Sequence, residues 1–340
     1  MEKDSLVLVT GVNGYLASAI ANEALASGLR VRGTVRNVSK SKWLQTYFDK
    51  HFGPDRFELV AADNFENEGA LDGGLDGVSG IAHVANTGLS PDPEPYITDV
   101  VNALVNPLRT AAKTPSIKRF VYTSSSMAAA PWKVDEEYTL GRNDYNEWAA
   151  KNAREPPFDA TNIFTNYAAS KVAAEKAAWA WVREAKEKGE LNFVFSTVLP
   201  SANHGPVLDR EAQGWPSTGG WPKAFYDGQI DQVKAVPPQH FVDVRDTAKL
   251  HVAALTLPED GNVGSRIFGF GYPYNWNDVL AILRKLYPNK TFIDDLPGIG
   301  RDLSHVPNEG AEGILKSMKG GKGFTTLEES LRDSFADVKA

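Results

Sequence analysis

Short apolar runs recur along the first 200 residues, and segments of helical composition lie between them. Each run is nearly continuous instead of alternating with polar residues, as expected for a strand that helices cover on both faces. The predicted strands are Leu6–Thr10, Val31–Val35, Phe57–Ala62, Gly80–Ala85, Arg119–Thr123 and Phe193–Leu199. The helices predicted between them are Ala17–Ser27, Ser41–Asp49, Ile97–Lys113 and Tyr167–Lys188. This alternation predicts an α/β fold built on a doubly wound parallel sheet.

The regular alternation weakens after Pro200. Residues 201–240 are rich in Gly, Pro and Trp, which is typical of loops. Helical patterns then return at Val244–Leu257, Trp276–Tyr287 and Leu327–Phe335. We expect this part of the chain to form a smaller second lobe.

A second irregularity is the long insertion between the fifth predicted strand and the helix that begins at Tyr167. It spans Met127–Asn166 and carries two tryptophans and three prolines: Pro131, Trp132, Trp148, Pro156 and Pro157. Loops of this length are usually functional or disordered. Because the insertion is rich in aromatic residues, we expect a packed rim and not a disordered segment.

Composition removes several classes of protein. The chain has 340 residues and no cysteine, so disulfides, zinc–thiolate and iron–sulfur sites and thiol nucleophiles are excluded. With 36 basic and 43 acidic residues, its net charge of −7 argues against nucleic acid as a partner. No apolar stretch approaches the roughly 18 residues of a membrane helix, and the N-terminus is too short in apolar residues for a signal peptide. We therefore expect a cytoplasmic protein without a membrane partner.

A glycine-containing turn follows the first predicted strand and opens the first helix. In Thr10–Ala17 (TGVNGYLA), Gly11 allows a tight turn, Gly14 lets the backbone approach a pyrophosphate, and Ala17 permits close helix packing. The free N–H groups of the helix N-terminus can bind the anion. The alternative is a turn without a ligand, but the strand–turn–helix context favours a dinucleotide. The cofactor-binding candidates in the turn are Thr10, Gly11, Asn13, Gly14, Tyr15 and Leu16.

The residue after the second predicted strand is Arg36, where proteins that bind NAD commonly place an acid. From Ala24 to Phe48 there is no acidic residue and there are five basic ones: Arg30, Arg32, Arg36, Lys40 and Lys42. A guanidinium group pairs with a 2′-phosphate, which a carboxylate would repel, so NADPH is preferred over NADH. A solvated positive surface explains Arg30 and Arg32 well, and it remains an alternative for Lys40 and Lys42.

The end of the third predicted strand supplies two further cofactor candidates. Asp63 and Asn64 would lie beside the adenine ring. Asp63 could equally cap a following helix.

A phenol and an ammonium group lie one helical turn apart at Tyr167 and Lys171. A carbonyl reduced by hydride needs a proton donor at its oxygen, and a nearby cation makes a phenol a stronger acid. Ser125, at the carboxyl end of the fifth strand, can donate a hydrogen bond to the same oxygen. Thr123 and Ser124 could serve the cofactor. Taken alone, the tyrosine–lysine pair could be a surface pair and the serines could be ordinary strand-end turn residues.

The three motifs together resemble the extended short-chain dehydrogenase/reductase family. Within it, the sequence is most similar to the yeast-type NADPH-dependent carbonyl (aldehyde) reductases, relatives of dihydroflavonol reductase and cinnamoyl-CoA reductase. The likeness spans nearly the whole chain and includes TPSIKRFVYTSS, NYAASKVAAEKAAW and VPPQHFVDV. The resemblance implies a catalytic triad of Ser125, Tyr167 and Lys171. It also implies that Lys171 holds the nicotinamide ribose and that Val198–Ser201 lies against the nicotinamide.

These considerations extend the set of expected cofactor contacts beyond the glycine turn and Arg36. The additional residues are Lys40, Asp63, Asn64, Ala85, Thr123, Tyr167, Lys171, Leu199, Pro200 and Ser201.

The same considerations divide the chain into two units. Residues 1–199, with 241–262 returning to them, form the NADP(H)-binding Rossmann domain. Residues 200–240 and 263–340 form the substrate-binding lobe. Candidate substrate contacts, besides Ser125, are Trp221, Phe225 and Gln239, although aromatic residues after glycine-rich loops often pack in a minor core. The eight tryptophans favour a hydrophobic or aromatic carbonyl compound as substrate.

The remaining residues offer little competing chemistry. The six histidines lack the spacing of metal ligands, so we expect no metal site, and His83 is interpreted as a core residue. No Gly-x-Ser-x-Gly elbow is present. We therefore expect NADPH-dependent reduction of aldehydes or ketones. The alternatives are a sugar-nucleotide epimerase or dehydratase of the same family and a non-catalytic NADP(H)-sensing protein. The sequence leaves the substrate, the stereochemistry and the oligomeric state open.

Overall fold

The computed structural model describes residues 1–156, 158–260 and 264–338, and a seven-stranded parallel sheet forms its centre. The strands of the described chain are β1 (Leu6–Val9), β2 (Arg30–Val35), β3 (Phe57–Ala61), β4 (Val78–His83), β5 (Arg119–Thr123), β6 (Glu137–Thr139), β7 (Val194–Pro200), β8 (Ala202–His204), β9 (Gln239–Asp243), β10 (Arg266–Gly269), β11 (Tyr272–Tyr274) and β12 (Leu303–His305). The large sheet has the order β10-β7-β5-β4-β1-β2-β3, and its neighbouring strands are parallel.

Helices pack on both faces of this sheet. The helices are α1 (Tyr15–Ala26), α2 (Lys42–Phe52), α3 (Pro93–Ala112), α4 (Glu147–Asn152), α5 (Ile163–Glu187), α6 (Arg210–Gln213), α7 (Trp221–Asp227), α8 (Val244–Thr256), α9 (Trp276–Leu286), α10 (Glu309–Met318) and α11 (Leu327–Ser334). Helices α1 and α8 pack together on one face, and α3 and α5 pack together on the other.

Strand β1 is apolar throughout because helices cover both of its faces. Its side chains alternate between the two faces, so Val7 and Val9 join the core under α1 and α8, whereas Leu6 and Leu8 join the core under α3 and α5. The predicted doubly wound α/β fold is confirmed. The strand order reverses between β1 and β4, and in such sheets the ligand crevice lies at the carboxyl ends of the strands at this point.

The six predicted strands of this sheet are found within two residues of their predicted ends. The sequence does not predict the seventh strand, β10. Its position changes the predicted division of the chain into a Rossmann domain and a second lobe. Residues 263–340 were assigned to the second lobe, but Arg266–Gly269 pairs with β7 at the edge of the large sheet. The predicted boundary at 262 and 263 lies outside the described residues.

The second lobe is built on a smaller sheet, in which β9 pairs with β8 in parallel and with β11 in antiparallel orientation. Helices α7, α9 and α11 cover it, and their apolar side chains share a core of their own. Strand β6 of the insertion Met127–Asn166 pairs in parallel with β12, so the insertion is joined to the C-terminal segment. Within the described ranges, the helices are too short or too polar to cross a membrane.

Candidate active site

The three residues predicted to act on a carbonyl meet at the carboxyl end of β5. Ser125 follows this strand by two residues, is 7% exposed, and begins a short 3-10 turn by accepting a hydrogen bond from the N–H of Met127 at 3.2 Å. Tyr167 lies on the second turn of α5, which begins at Ile163 and so four residues before the predicted start. The Ser125 hydroxyl lies near enough to the phenol of Tyr167 to lower the pKa of that phenol.

Lys171 lies one turn further along α5 and is buried. Its ammonium group donates to the hydroxyl of Tyr122 at 3.0 Å and to the carbonyl oxygen of Thr123 at 3.1 Å. The Nζ atom is 5.8 Å from the centre of the Tyr167 ring. The lysine is therefore close to the phenol, but its hydrogen bonds go to β5.

Burial controls the protonation of both groups. Burial raises the pKa of Tyr167 to about 12, against the opposing effect of the Ser125 hydroxyl. We expected a lowered phenol pKa, but desolvation outweighs the other effects. Burial also lowers the pKa of Lys171 to about 8, and the carboxylate of Glu175 acts in the opposite direction. At neutral pH the phenol thus holds its proton and the lysine is mostly charged.

The glycine turn between β1 and α1 has the shape that a dinucleotide requires. Gly11 has φ +64°, and a Cβ atom there would lie 3.3 Å from the Cβ of Ala85. Gly14 precedes α1 without a side-chain cap, so the first N–H groups of the helix remain available for an anion. A Cβ on Gly14 would lie 3.2 Å from the carbonyl oxygen of Gly11. The turn therefore fits a pyrophosphate.

Two of the turn residues have side chains with structural tasks. The hydroxyl of Thr10 accepts hydrogen bonds from the N–H groups of Val84 (2.9 Å) and Ala85 (3.0 Å), which ties the turn to the end of β4. The hydroxyl of Tyr15 donates to the carbonyl oxygen of Gly205 at 2.7 Å, so its ring points to the second lobe. Both residues can offer a cofactor their backbone only. Asn13 is exposed and Leu16 is half-buried.

The basic residues near β2 differ in their surroundings. Arg32 forms an ion pair with Glu58 at 2.7 Å, and the Nε of Arg30 donates to the carbonyl oxygen of Asp4. Arg36 is exposed, and within the described chain its guanidinium group has neither a hydrogen bond nor an ion pair. The side chains of Lys40 and Lys42 are likewise exposed without an acidic partner among the described residues. These three cations thus have no acidic partner among the described residues.

Asp63 and Asn64 follow β3 and are exposed. The alternative that Asp63 caps a helix is wrong, since the chain after it forms turns and the next helix begins at Pro93.

Several expected cofactor residues use their side chains elsewhere. The Thr123 hydroxyl bonds to Nε2 of His251 at 2.7 Å, and the Ser124 hydroxyl donates to Glu175 at 2.6 Å. The hydroxyls of Thr123 and Ser124 are therefore already engaged within the protein. Leu199 is fully buried, and the Ser201 hydroxyl donates to the carbonyl oxygen of Gly269 at 3.2 Å. At Thr123, Leu199 and Ser201 the backbone is what remains for a ligand. Pro200 ends β7 and is buried.

A largely apolar pocket of about 430 Å³ opens beside the N-terminal end of α5. The insertion and α5 supply nearly all of its walls, and one residue comes from the second lobe. The lining residues are Met127, Ala130, Pro131, Trp132, Lys133, Asn146, Trp148, Ala149, Phe164, Thr165, Ala168 and Pro237. Ala168 follows Tyr167 on α5, and Met127 follows Ser125 by two residues, so chain neighbours of both predicted catalytic residues line the pocket.

The predicted substrate contacts of the second lobe do not line this pocket. The prediction for Phe225 is wrong, because its ring is fully buried and stacks on Trp276 at 4.7 Å in the core of that lobe. Trp221 packs on the same core, with its ring 6.0 Å from that of Trp276. Gln239 is buried, and its amide donates to the carbonyl oxygen of Pro237 at 3.4 Å. The alternative of minor-core packing thus describes both aromatic residues.

Sequence reasoning missed four residues that support the site. Tyr122 binds the ammonium group of Lys171, and Glu175 lies one helical turn beyond that lysine. Asn166 donates to the carbonyl oxygens of Ser90 (3.1 Å) and Pro91 (3.0 Å), and Asn146 holds the pocket wall. The signal for Glu175 was available in the i, i+4 spacing from Lys171. The other three depend on long-range contacts that no spacing reveals.

In the part of the chain that the structure describes, no three histidine or acidic side chains form a group that could hold a metal ion. His83 is buried in β4, and burial lowers its pKa to about 3. Its Nδ1 lies 3.2 Å from the hydroxyl of Thr10, which agrees with the interpretation as a core histidine.

Comparison with known proteins gives matches over nearly the whole chain. Residues 7–268 match the model of the NAD dependent epimerase/dehydratase family. The chain is 38% identical to aldehyde reductase 2 of Sporidiobolus salmonicolor, over 98% of this chain and 96% of that protein. It is 37% identical to a ketoreductase of Penicillium rubens, with the same two coverages. A yeast methylglyoxal/isovaleraldehyde reductase complexed with NADPH has the same fold, with a TM-score of 0.79, 22% identity and 97% of each chain covered.

Proposed function

The chain belongs to the NAD-dependent epimerase/dehydratase family, the extended short-chain dehydrogenases/reductases, and from this premise we propose that it reduces aldehydes or ketones to alcohols with NADPH. The observation that carries the proposal is the protonated phenol of Tyr167, near Ser125 and on the helix that also lines an apolar pocket. The two curated relatives named above are an aldehyde reductase and a ketoreductase, which supports the same reaction.

The roles of the residues follow from their protonation. A bound nicotinamide would supply the hydride. Tyr167 holds a proton that it can give to the carbonyl oxygen, and Ser125 donates a hydrogen bond to that oxygen as its negative charge develops. The charged Lys171 stabilises the phenolate that remains. Its own hydrogen bonds to Tyr122 and Thr123 hold it at the end of β5.

The expected preference for NADPH rests on the cations near β2. Arg36, Lys40 and Lys42 lack acidic partners within the described residues, whereas Arg32 is paired with Glu58. A 2′-phosphate would supply the missing partner, and a guanidinium group binds phosphate in a bidentate manner. Asp63 and Asn64 remain candidates for the adenine side of the cofactor, and the glycine turn for its pyrophosphate.

The pocket supports a hydrophobic or aromatic carbonyl substrate. Its walls include Trp132, Trp148 and Phe164, which offer flat apolar surfaces to a ring. A nucleotide sugar would require cations or many hydrogen-bond donors there, and the lining has a single lysine, Lys133. This composition favours a carbonyl reductase over a sugar-nucleotide epimerase.

The decisive test is the loss of NADPH absorbance with a panel of aldehydes, ketones and α-keto esters. We expect turnover by the wild-type protein and a loss of at least about 100-fold in kcat for Tyr167→Phe, since the proton donor is removed. The matched control is Tyr272→Phe, which removes a phenol hydroxyl from the second lobe.

Three results would contradict the proposal. Retention of most activity by Tyr167→Phe would exclude the phenol as the donor. Turnover that required a sugar nucleotide would favour the epimerase. Binding of NADPH without turnover on any carbonyl compound would favour a sensing protein.

A further inference from the structure

A carboxylate lies fully buried next to the candidate active site. Glu175 is on α5, one turn after Lys171, and accepts three hydrogen bonds. These come from the hydroxyl of Ser124 at 2.6 Å, the hydroxyl of Thr197 at 3.0 Å and the Nε of Arg266 at 2.7 Å. Burying a carboxylate is unfavourable unless a cation and hydrogen bonds compensate for the lost hydration. We therefore ask which cation pairs with Glu175 and what the buried charge does at the site.

The cation paired with Glu175 contacts the insertion that forms most of the pocket wall. Arg266, on β10, donates from Nη1 to the carbonyl oxygens of Arg142 (2.9 Å) and Asp144 (2.7 Å) in the insertion. Its guanidinium carbon lies 4.2 Å from the centre of the Tyr145 ring. The loop 142–145 is thus fixed to the large sheet by this one side chain.

The next residue of that loop, Asn146, lines the pocket. Its amide donates to the carbonyl oxygens of Met127 (3.1 Å) and Ala130 (3.3 Å), which also lie in the pocket wall. A continuous set of contacts therefore runs from Glu175 through Arg266 and the loop to the pocket.

The charge of Glu175 also acts on Lys171. The titratable groups around the ammonium group are Tyr122 on β5, His83 on β4, Tyr167 on α5 and Glu175 itself. The tyrosines and the histidine are neutral at pH 7, because burial raises the pKa of both tyrosines and lowers that of His83. Glu175 thus supplies the negative charge that opposes the desolvation of Lys171.

We propose that Glu175 is a positioning residue, which keeps Lys171 charged and, through its ion pair with Arg266, holds the loop that lines the substrate pocket. The proposal rests on the proposed function, because it assigns Glu175 a task in the reaction of Tyr167 and Lys171. Glu175 would thus have two separate effects. Its negative charge stabilises the protonated form of Lys171, and its ion pair holds Arg266, whose hydrogen bonds fix the loop at the pocket.

The first test is Glu175→Gln, which removes the charge and nearly keeps the shape. Without the anion, the protonated lysine is less stable, so its pKa falls below the present value of about 8. We expect the alkaline limb of the kcat–pH profile for NADPH-dependent reduction to move down by about one pH unit or more. The titration of Lys171, followed by NMR of ¹³C-labelled lysine and assigned with Lys171→Arg, should move by the same amount.

The NMR titration needs no substrate, so it distinguishes failure of this inference from failure of the proposed function. If the wild-type protein turned over no carbonyl compound but the lysine signal still moved, only the proposed function would be wrong. If turnover occurred and neither the limb nor the signal moved in Glu175→Gln, the carboxylate would be merely structural and the inference would be overturned.

Two further variants separate the two effects, and Arg266→Lys tests the effect on the pocket even if Glu175→Gln does not fold. Thr197→Val removes a neutral partner of Glu175, and we expect an unchanged pH limb. Arg266→Lys keeps both charges but cannot reproduce the bonds to Arg142 and Asp144. We expect an unchanged limb and a KM for the carbonyl substrate raised about fivefold or more, with kcat nearly constant. A shifted limb in either variant, or an unchanged KM in Arg266→Lys, would contradict the proposal.

Discussion

At the scale of single residues, burial decides the chemistry of the site. The phenol of Tyr167 and the ammonium group of Lys171 are each pushed toward their neutral forms, since both lose contact with water. For the phenol this means that the proton is retained, which suits a donor. For the lysine it means that the charge needs support, and Glu175 provides it. The site thus favours reduction at neutral pH.

Arg36 gives the sharpest prediction for cofactor choice. In Arg36→Ser, we expect the KM for NADPH to rise about 10- to 100-fold, because a charge-assisted hydrogen bond to phosphate is lost. The KM for NADH should change little, since NADH lacks the 2′-phosphate. Steady-state kinetics with both cofactors measure the two values.

The matched control for this prediction is Lys50→Ser, on the exposed surface of α2. This variant also removes one positive charge, but at a position on α2 that is not expected to contact the 2′-phosphate. An equal loss of affinity for NADPH and NADH in Arg36→Ser, or the same loss in Lys50→Ser, would show that Arg36 does not bind the 2′-phosphate.

Residue types and spacing could predict the pair Tyr167 and Lys171, the serine at the end of β5 and the glycine turn. They could not predict where Thr123 and Ser124 point. Both hydroxyls lie at the end of the same strand, but one meets His251 from α8 and the other meets Glu175 from α5. Such partners come from distant parts of the chain, and a local pattern contains no information about them.

At the scale of the elements, the insertion Met127–Asn166 forms most of the pocket. Strand β6 pairs with β12, and helix α4 packs on α5. Ala129 and Leu140 of the insertion share a core with Leu199 of β7 and Phe268 of β10, which agrees with the expected packed rim. Helix α5 begins four residues earlier than predicted, and this brings Phe164 and Thr165 into the pocket wall. The helix that carries Tyr167 therefore also shapes the pocket.

Phe164 offers a test of the pocket. Replacing it with alanine removes apolar surface from the wall, so the KM for a bulky aromatic ketone should rise about tenfold. The KM for a small aliphatic aldehyde should rise less, because a small substrate buries less surface there. Initial rates with the two substrates give the ratio.

The control for the pocket test is Phe158→Ala, which removes an exposed phenylalanine of the same insertion that does not line the pocket. Its kinetics should match the wild type with both substrates. If Phe164→Ala raised both KM values equally, the pocket beside α5 would not determine the size of the substrate.

The same scale shows how far the elements could be predicted. Apolar runs of five to seven residues predicted the six strands. In β10 the apolar run is only Ile267 and Phe268, between the charged Arg266 and Gly269, so no such run marks this strand. Phe225 illustrates the other limit: its aromatic type predicts burial, but not whether it faces a pocket or the ring of Trp276. Only the packing of α7 against α9 decides this.

At the scale of the whole molecule, three histidines are buried in neutral form. Burial lowers the pKa of His83 to about 3 and those of His204 and His251 to about 4. They lie in different layers, on β4, β8 and α8. His251 shows why it must stay neutral: its Nδ1 donates to the carbonyl oxygen of Thr247, and its Nε2 accepts from the hydroxyl of Thr123.

These histidines predict that the folded state loses stability in mild acid. Below about pH 6.5 the unfolded chain protonates each of them, whereas the folded chain does not until pH 4 or lower, so the unfolded state binds more protons. Each should lower the free energy of unfolding by up to about 1.4 kcal/mol per pH unit between pH 6 and 4.5. Urea unfolding across this range measures the slope. In His251→Gln the change in the free energy of unfolding per pH unit should be smaller by the contribution of one histidine. In the control His51→Gln, at an exposed site, this slope should equal that of the wild type. Equal slopes for the wild type and His251→Gln would mean that His251 is protonated in the folded protein, and its hydrogen bond from Thr123 would then have to break.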